Sequence, residues 1–167
     1  MIGALIALSL LDHGGWLLYA GDTMSRFDGR SATVVHVIDG DTLIVDIPDR
    51  GEATARIRLW GIDTPELAKP KRGQPAEPFA KQARDRAREL AEGKTVTLEL
   101  ESHRTRGNYG RVLAYVRLPS GQRLAEQLLK EGLARFDDRF HHRHYRRYRV
   151  LEEQARTRNN GLWAESE

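Results

Sequence analysis

The stretch from Val37 to Glu66 limits the fold of this chain more than any other. Thr33 to Ile38 is rich in β-branched residues and stops at Asp39-Gly40, a strong hairpin turn signal. Thr42 to Ile47 reads as a second strand, closed by Pro48-Asp49-Arg50-Gly51. Ala53 to Ile62 reads as a third. Its alternation puts Ala55, Ile57 and Leu59 on one face and Arg56, Arg58 and Trp60 on the other. The same stretch holds two acidic signatures, Asp39-Gly40-Asp41-Thr42 and Asp63-Thr64-Pro65-Glu66, with the arginine-bearing strand between them. Carboxylate oxygens suit a hard cation such as Ca²⁺ or Mg²⁺. An arginine fork suits a pair of phosphate oxygens.

The rest of the chain adds helices and two more strands. Phe79 to Ala91 is predicted helical, with Phe79, Ala83, Ala87 and Leu90 on one stripe and Gly93 at its end. Lys94 to Leu100 alternates with Val96, Leu98 and Leu100 inward, and Val112 to Leu118 is a further strand. Helices are expected over Leu124 to Glu131 and over Tyr145 to Arg158, the latter stopped by Asn159-Asn160-Gly161. This pattern predicts an α+β chain with a closed barrel and attached helices.

At 167 residues the chain is most simply one domain with a real core. Hydrophobic residues at 40% and charged residues at 31% describe a folded chain and exclude a disordered one. Net charge is only +3, but eight arginines and three histidines stand against four acids between Arg135 and Arg158. Such a patch favours a polyanion, or else is a solvated helix face. The absence of cysteine excludes disulfides, thiolate metal sites and a cysteine nucleophile. Met1 to Leu11 is almost wholly apolar, of signal-core length and too short to span a bilayer. It is read as an export or anchor signal, against a docked start, and Gly21 to Ser31 as a polar linker.

Each chemical motif alone has a plain structural explanation. Asp39-Gly40-Asp41 can be only a turn. Asp63-Thr64-Pro65-Glu66 can start a helix, although the Pro- and Gly-rich loop from Leu67 to Pro78 argues against one there. Tyr109-Gly110-Arg111 can be an ordinary entrance to a strand. His141, His142 and His144 have loose spacing for zinc and are read as surface or phosphate-contacting side chains.

Taken together and in this order, the motifs resemble the staphylococcal nuclease (thermonuclease) family. The likeness runs from about Val34 to Trp163 and includes Gly132-Leu133-Ala134 and Gly161-Leu162-Trp163. It implies a five-stranded OB-fold β-barrel with three α-helices over residues 32–165, after an apolar segment and linker over 1–31. It also implies a Ca²⁺-dependent phosphodiesterase acting on DNA and RNA, with the 5′-oxygen leaving and 3′-phosphorylated products. By motif, Asp41 and Asp63 would hold the metal with their carboxylates, Thr64 with its carbonyl, and Asp39 would support them. Glu66 matches the general base, and Arg58 and Arg111 match the phosphate-stabilising arginines. Tyr109 would hydrogen-bond a substrate phosphate.

Two departures bear on substrate contacts. The family's lysine beside the tyrosine is Asn108 here, in a loop one residue longer, so Arg106 is the candidate to replace that charge. Of the tyrosines the family often places after Gly132-Leu133-Ala134, only Phe140 could stack on a nucleotide. The protein is expected to be a monomer, secreted or held at the cell envelope, with membrane contact through its N-terminal segment. The alternative is a non-catalytic nucleic-acid or protein-binding module on the same barrel.

Overall fold

A computed structural model describes residues 16–164. The run at 1–11 that reads as an export or anchor signal lies outside the described residues. Among them, no helix is long and apolar enough to cross a membrane.

The three turn-linked strands form as β1 (Ser31–Val37), β2 (Thr42–Val45) and β3 (Ala55–Leu59). A two-residue strand β4 (Ile62–Asp63) follows, then α2 (Ala80–Ala91), β5 (Thr95–Glu99) and β6 (Val112–Arg117). The chain continues through α3 (Leu124–Lys130), β7 (Arg135–Phe136) and α4 (Tyr145–Thr157). Ahead of β1 stands a first helix, α1 (Trp16–Phe27).

Five strands close into a barrel in the order β1-β2-β3-β6-β5. Each neighbouring pair is antiparallel except β3 and β6, which run parallel and set Arg58 beside Leu113. The barrel shape and several helices make an α+β OB-type fold. In β3 the alternation holds: Ala55, Ile57 and Leu59 are buried and Arg56 is exposed. Trp60 departs from it. It was placed on the polar face but is buried, because the strand ends at Leu59 and the ring turns in against His142 and His103.

The expected linker from Gly21 to Ser31 is corrected. Its first seven residues belong to α1, which stands ahead of the three expected helices. Phe27 and Thr23, one helical turn apart, are both fully buried. Their spacing gives the helix one inward face that a composition of Gly, Asp, Ser and Arg conceals. Asp28 then accepts a hydrogen bond from the Leu100 amide at 2.8 Å, tying the helix exit to β5.

The two glycine motifs near the C-terminus turn out to be partners. The Leu162 amide donates to the Gly132 carbonyl at 2.8 Å. A Cβ on Gly132 would lie 2.1 Å from the Asn160 carbonyl oxygen, so only glycine permits this approach. The contact pins the chain end against α3, whose Leu124, Leu128 and Leu129 are buried with Tyr148 and Leu151 of α4.

Candidate active site

The β1–β2 turn and the short β4 meet at one end of the barrel. Gly40 lets them meet: a Cβ there would fall 2.8 Å from Thr64 Cγ2. With the turn pressed against Thr64, Asp41 Oδ2 accepts from the Thr64 amide and from Thr64 Oγ1, both at 3.0 Å. Thr42 Oγ1 donates to Asp41 Oδ1 at 3.0 Å. Asp39 Oδ1 accepts the Asp41 amide at 3.1 Å and so fixes the turn from within. Burial pushes the Asp39 carboxyl above the ordinary aspartate range, while Thr42 and Arg58 pull it back.

Asp63 lies on β4, which pairs only with β7 through Ile62 and Phe136, and Asp63 and Arg135. Arg58 reaches from β3 into the gap between the two acidic motifs. It contacts Asp41 with Nη1 and Asp63 Oδ1 with Nη2 at 2.6 Å. Its side chain is only 12% exposed. Burial lowers its proton affinity, and Asp63 restores part of it. Arg111, the residue before β6, donates from Nη1 to Thr42 Oγ1 at 3.1 Å, while its buried Nε has no hydrogen-bond partner among the described residues.

These side chains line a polar cavity of about 280 Å³ with Asp39, Glu66 and Arg139. Glu66 sits on its rim, 58% exposed, with Oε2 2.8 Å from Lys69 Nζ. Its backbone is held in register by Glu77, whose carboxylate accepts the Glu66 amide at 2.9 Å. An adjoining pocket shares Arg58, Arg111 and Arg139 and adds Tyr109, Phe140 and Arg104. Tyr109 is 87% exposed and Phe140 42%.

The donor set suits a hard cation. Asp41, Asp63 and the Thr64 carbonyl offer oxygen alone, with two further carboxylates on the same cavity. Among the described residues, however, no three acidic or histidine side chains are already grouped to hold a metal. The Arg58 guanidinium stands between the two aspartates and pairs with both.

A sequence model described as "Staphylococcal nuclease homologue" matches residues 56–165. A thermonuclease of Staphylococcus hyicus is 33% identical over 98% of this chain and 94% of its own length. A thermonuclease of Staphylococcus intermedius is 40% identical over 76% of this chain and 70% of its own. The chain belongs to the staphylococcal nuclease family. Endonuclease YncB of Bacillus subtilis is a further relative, 34% identical over 81% of this chain and 63% of its own length.

Set in this family, the structure brings Asp39, Asp41, Arg58, Asp63, Thr64, Glu66 and Arg111 to one cavity and Tyr109 and Phe140 to the pocket beside it, and it places Arg106 elsewhere. Arg106 does not line the cavity or the pocket beside it. It is bound to Asp49 through Nη1 and Nη2, to Thr23 Oγ1 through Nε at 3.0 Å and to the Gly110 carbonyl through Nη1 at 2.8 Å. A buried carboxylate outcompetes a solvated cleft for this guanidinium. The surface reading of the histidines is corrected for His142, which is 2% exposed. Its Nδ1 lies 3.1 Å from the Tyr115 hydroxyl, and its ring packs on Gly61, where a Cβ would fall 2.4 Å from Nε2. His141 instead stacks on Tyr145, with ring centroids 5.2 Å apart.

Three residues that the motifs did not single out also line the site. Arg139 reaches the cavity and is paired with Asp137 at 2.7 Å. Arg104 and Trp60 line the pocket beside it. The basic run from Arg135 was a signal for the first. Nothing local marks the other two.

Proposed function

We propose that this protein is a calcium-dependent, sugar-nonspecific endonuclease that hydrolyses DNA and RNA and leaves 3′-phosphorylated ends. The class is a nuclease hydrolase, as its relatives named thermonuclease and endonuclease indicate. The finer reading rests on one observation: Asp41, Arg58, Asp63, Glu66 and Arg111 line a single polar cavity.

Asp41, Asp63 and the Thr64 carbonyl would hold the calcium. When bound, such a dication neutralises and positions a phosphodiester. Arg58 and Arg111 hold the equatorial phosphate oxygens and stabilise the charge that grows there in the transition state. Glu66 takes a proton from the attacking water as the new P–O bond forms. The bond to the 5′-oxygen breaks in line, and that oxygen leaves with a proton from solvent. Tyr109 hydrogen-bonds a substrate phosphate, and Phe140 offers a face for a base.

The unit that carries this activity includes α1 and acts as a monomer. Residues 1–11 direct export or anchoring, which a reporter fused to residues 1–20 would test. The activity is tested by digesting single- and double-stranded DNA and RNA with calcium and with chelator, then analysing the ends. Calcium-dependent cleavage with 3′-phosphates is expected. Tight binding without cleavage would make the protein a binding module.

A further inference from the structure

The rim of the pocket beside the phosphate cavity carries a cation that the nuclease reading does not use. Arg104 lies with Cζ 4.1 Å from the centre of the Phe140 ring and 5.9 Å from that of Trp60. Phe140 and Trp60 stack in turn, with centroids 6.3 Å apart and planes at 27°. The guanidinium is therefore held over an aromatic floor, which restrains its plane.

Three of its neighbours spend their charge on carboxylates, whereas Arg111 donates to Thr42 Oγ1. Arg106 is on Asp49, Arg139 on Asp137 and Arg58 on Asp41 and Asp63. Arg104 has no carboxylate partner among the described residues, and its one side-chain hydrogen bond is a long one, 3.4 Å to Asn108 Oδ1. Most of its donors are thus uncommitted, and they stand on a pocket that shares Arg58 and Arg111 with the phosphate cavity. A nucleotide whose phosphate sits in that cavity can reach this pocket with its base.

We propose that Arg104 determines base specificity by binding guanine in this pocket. This rests on the nuclease reading for the phosphate end alone. A flat ring suits the exposed rings of Tyr109 and Phe140 on this pocket, and a planar fork needs two acceptors side by side. Guanine offers O6 and N7 in that arrangement, and arginine is their usual partner. Adenine sets an amino donor beside N7 and meets the fork with a repulsion. Thymine offers O4 beside a methyl group. A second phosphate, which the other arginines of the pocket could also meet, would not distinguish one base from another, and the test below separates the two.

The test compares the 3′,5′-bisphosphates of guanosine, adenosine, cytidine and thymidine, titrated by calorimetry into the full-length protein and its Arg104→Ala and Arg104→Lys variants. The expected result is a preference for guanine of roughly tenfold or more. Both variants should lose it, because lysine keeps the charge and not the fork, while affinity for the other three changes little. No preference, a preference for cytosine, or an equal loss for all four ligands in Arg104→Ala would overturn the proposal, the last by assigning Arg104 to phosphate. Cleavage of oligonucleotides that differ only in the base at that position separates the two readings. Guanine-selective binding without turnover would contradict the nuclease and leave this inference standing.

Discussion

Arg106 places Nη1 and Nη2 on the two carboxylate oxygens of Asp49, each at 2.8 Å, and so turns away from the cleft that Tyr109 and Arg111 line. Both side chains are 9% exposed. The same guanidinium holds Thr23 of α1 and the Gly110 carbonyl beside Arg111. It joins the first helix to the loop that leads into Arg111.

Arg106→Ala should therefore act on stability. It takes the two-point partner from the buried Asp49 carboxylate and leaves a longer contact to Arg26 at 3.8 Å, a loss of up to about 3–5 kcal/mol. Denaturant melts should show the loss, and a chain starting at residue 31, without Phe27 and Thr23, should melt lower as well. An Arg106→Ala variant of unchanged midpoint but weakened nucleotide binding would put Arg106 back in the cleft.

In the proposed reaction, calcium would have to take Asp41 and Asp63 from the Arg58 guanidinium, which touches both. Arg58→Gln removes that competitor and should bind calcium severalfold more tightly while turning over more slowly. Calorimetric titration of calcium into both proteins reads this directly. Weaker calcium binding in the variant would contradict it.

His142 couples stability to pH. Burial lowers its pKa from 6.5 to about 4, with Glu101 and Asp137 opposing the shift and His141 and His144 adding to it. Because the folded value lies below the unfolded one, the unfolded chain takes up the proton first. Stability from this group is complete above pH 6.5 and falls as pH drops toward 4. The loss is up to roughly 3 kcal/mol. Urea unfolding between pH 7 and pH 4 should fall less steeply for His142→Gln. Parallel curves would show that another group carries the acid sensitivity.

Much of the site was legible because its residues sit in motifs with short spacings. Asp41 follows a glycine turn, Arg58 lies five residues before Asp63, and Glu66 lies three after it. Each of these distances is set by one turn or one strand, so local pattern suffices. Arg104 and Arg106 show where pattern fails. They are two residues apart in one loop, and their fates are decided by Phe140 and Asp49, which are remote in sequence. The α1 helix was hidden for a related reason: its inward face is small, and its hydrogen-bond partner comes from residue 106. Strands β4 and β7 are two residues long and leave no period to read.

Glu66 is exposed at the rim and free to meet solvent water. Glu66→Gln keeps its shape and removes its basicity. Turnover should fall by roughly 10²–10⁴ with little change in substrate binding. Single-turnover cleavage kinetics separate the two effects, and a loss under about threefold would remove Glu66 as the base.

The central claim is that Arg58 and Arg111 act on the reacting phosphate by geometry as well as by charge. Arg56 is the control: it lies on the same strand, exposed, two residues from Arg58 and outside the cavity. The decisive measurement is the rate of DNA cleavage in calcium by Arg58→Lys, Arg111→Lys and Arg56→Lys, with circular dichroism to show that each is folded. Lysine keeps the charge and loses the planar fork. A loss of about 10³-fold or more is expected for the first two, and little change for the third. Near-normal turnover in Arg58→Lys and Arg111→Lys would contradict the account and leave both arginines as structural partners of Asp41, Asp63 and Thr42.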